Sequence, residues 1–454
     1  MEDAFLNTAL SRRINLETLY TLYEAVFYTT VFCMYGMYTT YLTAYGFSNT
    51  FIALSLSITG FVNMGLNPIL AVFLDKTNNC RFVNLAAIVS TEIAVLLFFS
   101  PIGKTNAMAI IFAVFGNGGI RVLMSETDTW VSKLIAQGAK INYGSMRAAG
   151  SLAYAASAFV VGRVLAILGY DFARWIFTIL LSLCFIIAMM IPNPRMITDS
   201  AGKVEKVTMG EAFGKIKASK TYLVYLFCGM LYMSTNLVCE NYIGPLVLHM
   251  GGTSKEVGIM SGLLACIEFI TMPYYARVAD RIGTRRLLTI GFFGFFIKAV
   301  AMSYAPSIPL LFMCAITQMI SFVIIVPSRI RLVSEEIPAK YIATALILSN
   351  LTTSVMSTSI GNPIAGRLAD TVGLQMTFRI MSLPALAAGL IFGTFTVIYN
   401  RTHPEGGKAS SGHELYEVRE TSDTLRATLS ALAVALFAVL VFVIYRVATG
   451  SFYF

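Results

Sequence analysis

The chain has 454 residues, of which 57% are apolar and 13% charged, with a net charge of +9 and a mean hydropathy of +0.72. Soluble domains carry about 25% charged residues, so these figures exclude a water-soluble multidomain protein, a disordered chain, a nucleic-acid-binding domain and a secreted disulfide scaffold. An excess of Lys and Arg in cytoplasmic loops accounts for the positive charge without an acidic partner.

The first 17 residues, MEDAFLNTALSRRINLE, are polar and are expected to be a cytoplasmic N-terminus. The apolar run after them is too long for a signal h-region and has no small-residue cleavage site, so it is expected to stay as a span. Runs of about 20 mostly apolar residues, the length a bilayer requires, lie near 18–44, 50–74, 82–101, 106–132, 144–168 and 173–192. After a polar stretch come 220–247, 256–276, 286–304, 308–328, 342–368 and 375–399. The stretch between the two sets of six contains Pro, Gly and mixed charges that do not belong in lipid. The expected organisation is therefore an N-terminal six-helix bundle (18–192), a cytoplasmic linker (193–219) and a C-terminal six-helix bundle (220–399). A polar tail (400–426) and an extra transmembrane helix (427–447), carrying the run ATLSALAVALFAVLVFVIY, follow.

With the N-terminus inside, the inward segments before residue 400 hold nineteen Lys and Arg and the outward ones four. This asymmetry places the N-terminus in the cytoplasm. An internal repeat accompanies the six-plus-six division. Gly162, Arg163 and Gly169 recur as Gly366, Arg367 and Gly373 at an offset of 204, and Asp75 recurs as Asp280 at an offset of 205. A duplicated six-helix unit with parallel topology fits both. The seven cysteines form no CxxC pair and read as small packed hydrophobes, with no structural metal and no redox pair.

ARVADRIGTRR at 276–286 and the looser LAVFLDKTNNCR ending at Arg81 resemble the loop signature of the major facilitator superfamily, Gly-x-x-x-Asp-Arg-x-Gly-Arg-Arg/Lys. The first copy lacks the loop glycine. GNPIAGRLADTVG at 361–373 resembles the eleventh span of the same group. YGSMRAAGSLAYA at 143–155 and IEFITMPYYARVADRIG at 267–283 resemble the lactose-permease-like branch of oligosaccharide and nucleoside proton symporters. The resemblance implies an all-α membrane protein with two six-helix bundles around a cavity that opens alternately to each side. It implies transport of a sugar, oligosaccharide or nucleoside with protons. Sugar-efflux transporters share the eighth-span pattern, so proton-coupled export is an alternative, and a non-transporting receptor or lipid-handling protein on the same fold is a second.

Charged groups inside spans mark candidate sites, because each is costly there unless it faces a cavity or a partner. In span four Arg121 and Asp128 are seven residues apart and so share a helix face, with Glu126 off that face. By resemblance, Arg147 of span five meets an acid of span four, Asp128 or Glu126, at the solute. Glu268 of span eight is the first candidate for a protonatable carboxylate, since alternating access changes the exposure of such a group. Asn236 and Glu240 share a face of span seven, and Asn241 follows. By resemblance, Tyr154 sits where the branch places a sugar-stacking aromatic, and Tyr35 and Tyr38 of span one are candidates for the cavity. Tyr20, Tyr23 and Tyr45 read as an interfacial belt, Glu24 and Glu92 as interfacial acids, and Lys298 as a charge with no evident partner. The tenth span carries Gln318 and Ser321 in place of the permease's His and Glu, so that proton relay is absent. By resemblance, Asp75, Lys76 and Arg81 in the first half and Asp280, Arg281 and Arg285 in the second form a cytoplasmic gate. No Walker, HExxH or GxSxG motif is present, so no enzyme and no cofactor are expected. The expected partners are a small-molecule substrate, protons and the lipid bilayer, with no nucleic acid, and the protein is expected as a monomer in the plasma membrane.

Overall fold

A computed structural model describes residues 16–77, 79–101, 103–139, 141–194, 214, 216–338, 341–356 and 360–402. The thirteenth run, the tail before it, residues 1–15 and most of the central linker lie outside the described residues. Among the described residues all regular structure is helical, as an apolar chain in lipid requires, because each backbone N–H must find its acceptor within its own segment. Ten helices are long and apolar enough to cross a membrane. They match ten of the twelve expected runs. Of the other two, the first is interrupted and the eleventh is described in two pieces. The first is Leu16–Val31, a π-helical turn Phe32–Gly36 and Tyr38–Ala44. The eleventh comprises Ile342–Met356 and Asn362–Thr371. We number these twelve elements as spans 1 to 12. Side chains such as Ile167 (72% exposed) and Ile179 (60%) stand outward, where acyl chains take the place of water.

The repeat is visible in the backbone. Gly46 and Gly251 end spans 1 and 7, and Gly169 and Gly373 end spans 5 and 11. All four have φ between 81° and 84°, a left-handed conformation that a side chain penalises and glycine does not.

Contacts divide the chain into two compact units. The first contains the described residues of Met1–Lys206, Glu240–Gly262 and Ser354–Leu374. The second contains those of Val207–Cys239, Leu263–Thr353 and Gln375–Phe454. In the first, span 1 packs on spans 5 and 6, and an aromatic core forms where Phe112 stacks on Phe98 (4.3 Å) and on Tyr38 (5.5 Å). At the end of this unit remote from the start of span 1, small residues let backbones touch. A Cβ on Gly258 of span 8 would lie 2.1 Å from the Ala158 carbonyl of span 5, and one on Gly366 of span 11 would lie 2.4 Å from Cβ of Ala53 in span 2. The two contacts are repeat mates. Asp370 adds a tie to the second: Oδ1 accepts from the Asn49 backbone and side chain (both 2.9 Å) and Oδ2 from the Thr50 backbone (2.7 Å). It caps the free N–H groups at the start of span 2. The core of the second unit is also aromatic, built on Tyr222, Tyr225, Tyr232, Phe292, Phe295 and Phe392.

Candidate functional site

Four spans leave regular α-helix at positions that the repeat relates. Span 1 opens into a π turn at Phe32–Gly36, and span 7 breaks at Tyr242 between Lys220–Asn241 and Ile243–His249. Span 4 opens into a π turn at Phe112–Asn117, and span 10 tightens to 3₁₀ over Cys314–Ile320. Both π turns begin with Phe and carry Gly four residues on. The Phe32 ring lies 2.7 Å from where a Cβ of Gly36 would stand, and the Phe112 ring 3.0 Å from that of Gly116. Each ring fills the space that its glycine vacates. Such turns inside helices mark functional sites, and paired interruptions in the two halves of a membrane protein mark binding sites.

In the first unit a charged cluster joins spans 1, 4 and 5. Arg147 Nη1 lies 3.6 Å from Asp128 Oδ1 and 3.9 Å from Glu24 Oε2. Its guanidinium lies over the Tyr28 ring at 4.7 Å, and Tyr143 donates its hydroxyl to Asp128 (2.9 Å). Span 5 approaches span 1 closely here because residue 150 is Gly, whose absent Cβ would stand 2.8 Å from Tyr28 and 3.1 Å from Glu24 Oε2. Of the two acids expected opposite Arg147, Asp128 is the partner. Glu126 is buried elsewhere and accepts from Asn84 Nδ2 (2.7 Å), which is also bonded to Tyr23. Glu24 departs from the interfacial reading: it is wholly buried, because the tertiary contact with span 5 covers it. Tyr20 and Tyr23 are buried too, against the belt expectation. Tyr45 instead covers Lys104, whose Nζ lies 3.7 Å from its ring centroid.

A second cluster gathers at the π turns. Arg121 donates to Asn117 (3.1 Å), the last residue of the span 4 turn, and stands 4.9 Å from the Tyr35 ring. Tyr35 donates its hydroxyl to Glu240 (3.3 Å). The shared face of Arg121 and Asp128 thus serves two clusters. Tyr154 packs edge-on to Phe32 (5.4 Å) and is half-buried. Tyr38 is buried against Phe112 with its hydroxyl on Ser55 (2.8 Å), which makes it a packing residue. Asn241 is half-buried beside the span 7 break.

In the second unit Lys298 Nζ donates to Gln318 Oε1 (2.6 Å), and Gln318 Nε2 donates to Glu268 Oε1 (2.5 Å). Lys298 therefore has the partner that its sequence did not show. An ammonium only donates, so it fixes the amide with its N–H₂ toward the carboxylate. Asn236 is buried, with Nδ2 near Met233 Sδ (3.8 Å).

Of the described gate residues, Arg81, Asp280 and Arg285 take partners inside their own unit. Arg81 donates twice to the Ile191 carbonyl (3.1 and 2.7 Å). Asp280 accepts from Arg331 (2.8 Å), and Arg285 pairs with Glu336 under the Tyr399 ring. Arg281 is exposed. The side chains of Asp75 and Lys76 lie outside the described ones. The sequence reading missed Asp370, although it lies inside the eleventh-span motif, because its acceptor role depends on residues 320 positions away.

A family model described as Major Facilitator Superfamily matches residues 21–355 and 240–454. An uncharacterized transporter, YwbF, of Bacillus subtilis (strain 168) is 22% identical over 73% of this chain and 86% of its own. The maltose permease of Geobacillus stearothermophilus is 21% identical over 77% of this chain and 85% of its own. Among solved structures, the nucleoside transporter NupG superposes with a TM-score of 0.73 at 15% identity, covering 84% of this chain and 99% of that one. At that identity the likeness is one of fold.

Proposed function

The chain belongs to the Major Facilitator Superfamily, and from that premise we propose that this transporter moves a sugar, oligosaccharide or nucleoside together with protons. The observation that carries the reading is Arg147 facing the carboxylates of Asp128 and Glu24, with Asp128 also accepting from the Tyr143 hydroxyl. A guanidinium fork and a carboxylate side by side offer donors and acceptors matched to vicinal hydroxyls. The 36% exposure of the Arg147 side chain and 41% of Asp128 leave both open to a solute. Arg121, Tyr35 and Glu240 offer a second such set. Glu268, fixed by Gln318, is the carboxylate of the C-terminal half for solute or proton. The relatives described as a maltose permease and a nucleoside transporter support the solute class.

Alternating access follows if the Asp370 cap and the Gly258 and Gly366 contacts close one side while the Asp75 and Asp280 loops close the other. Several ties of about 0.3–1 kcal/mol each, the worth of a charge at a helix end, suffice to bias such a two-state balance. The charge asymmetry of the loops supports a cytoplasmic N-terminus, and the reading takes the protein to act as a monomer in the plasma membrane.

The test is uptake of radiolabelled maltose and uridine by proteoliposomes under an inward proton gradient. Accumulation that collapses with a protonophore is expected. Export from preloaded vesicles under the same gradient, without uptake, reverses the direction to antiport. Transport of neither solute in either direction contradicts the solute class.

A further inference from the structure

Glu24 does not belong to the expected set of site residues, and its surroundings are unusual. Its side chain is 1% exposed, and among the described residues neither carboxylate oxygen has a hydrogen-bond donor. The cation facing it is Arg147 of span 5, whose Nη1 stands 3.9 Å from Oε2 and only 3.6 Å from Asp128 of span 4. One nitrogen therefore serves a buried acid and an exposed one. The other titratable groups around Glu24 are Tyr20 and Tyr28 on its own helix, Tyr143 on span 5 and Cys184 on span 6. None of these adds a positive charge. Asp128 has a second donor, the Tyr143 hydroxyl, and so keeps a partner when Arg147 turns away. Glu24 has none.

We infer that Glu24 is a proton-carrying group of this protein, and that it and Asp128 take turns as the ion-pair partner of Arg147. A carboxylate buried without donors is ionised only while a cation faces it. When Arg147 turns to Asp128, or to a solute hydroxyl beside it, Glu24 takes up a proton from solvent. When Arg147 returns, the proton leaves to the side then open. Solute and proton are thereby loaded together and released together, the direction that symport needs. Gly150 is part of the device, because a larger residue would displace the carboxylate from the guanidinium. The coupling half of this inference rests on the transport reading above. The protonation half does not.

The experiment combines infrared titration of the reconstituted protein with transport. At pH 7 the wild type is expected to show a protonated carboxylic-acid carbonyl band that titrates. Glu24→Gln removes that band and Glu24→Asp restores it. Asp128→Asn, in which Arg147 faces Glu24 alone, keeps the band at reduced intensity. In proteoliposomes Glu24→Gln is expected to lose at least 10-fold in gradient-driven accumulation of uridine or maltose, and the counterflow that remains is expected not to vary with pH, whereas wild-type counterflow does. A spectrum unchanged in Glu24→Gln, or accumulation at the wild-type level in that variant, overturns the proposal. If the wild type moves neither solute, the transport reading fails, and the spectrum alone decides whether Glu24 carries a proton.

Discussion

In the first half of the chain one guanidinium stands between two carboxylates, and in the second half one ammonium reaches one carboxylate through an amide. The two arrangements occupy a duplicated scaffold whose helices are interrupted at matching positions. The first, with all groups ionised, carries one negative charge too many, whereas the second is balanced. Duplication therefore preserved where the backbone opens, while the charged side chains of the two halves diverged. An unbalanced cluster has a reason to exchange protons. A balanced one has less reason to, which favours the solute over the proton as the partner of Glu268.

The sharpest way to break this contrast is Arg147→Met. Removing the guanidinium takes away the donor fork offered to the solute and leaves Glu24 buried without a cation, so initial uptake rates are expected to fall by about 100-fold or more. Arg147→Lys is expected to restore only part, because an ammonium lacks the planar fork. Equal rates in Arg147→Met and the wild type would remove the first cluster from the site. The second cluster is tested by Lys298→Met, which leaves the Gln318 carbonyl without its donor and is expected to destabilise the protein by about 1–3 kcal/mol. Thermal unfolding should show the loss. The double variant Lys298→Met with Glu268→Gln, neutral again, should recover part of it, and strict additivity of the two would show that the three side chains do not act as a unit.

A smaller effect is expected where the halves differ at their ends. Asp370 has Ala166 as its repeat mate, so only one of the two related contacts carries a carboxylate cap. Loss of a cap costs about 0.5–2 kcal/mol. Asp370→Ala should therefore raise the rate of thiol modification at Ala53→Cys by roughly 2- to 30-fold, and an unchanged rate would show that the cap does not hold that end closed. The smallest effect belongs to Tyr38→Phe. Its hydroxyl bonds only Ser55, a neutral contact worth about 0.5–1.5 kcal/mol. The melting temperature should drop slightly while the apparent affinity for solute stays constant. A changed affinity would return Tyr38 to the solute site.

The spans and the repeat were legible in the sequence because hydropathy and glycine placement are local signals. Resemblance put an acid of span 4 opposite Arg147 but left Asp128 and Glu126 open, because which of the two faces span 5 depends on how the helices pack. Glu24 was not legible: its place near the start of span 1 reads as interfacial, and only the approach of span 5 at Gly150 buries it. Lys298 lacked a partner in the sequence because Gln318 lies on the next span, and the register between the two is a tertiary property. The π turns had a signal, Phe followed by Gly four residues later in both spans 1 and 4, which means nothing until the ring is seen lying over the glycine. Asp370 and the start of span 2 meet through folding alone.

The most direct measurement of the central claim is the pH of a weakly buffered medium around de-energised proteoliposomes when maltose or uridine is added. The expected result is alkalinisation, as protons enter with the solute, and its absence in Glu24→Gln. Solute entry with no pH change, or with acidification, would contradict proton symport.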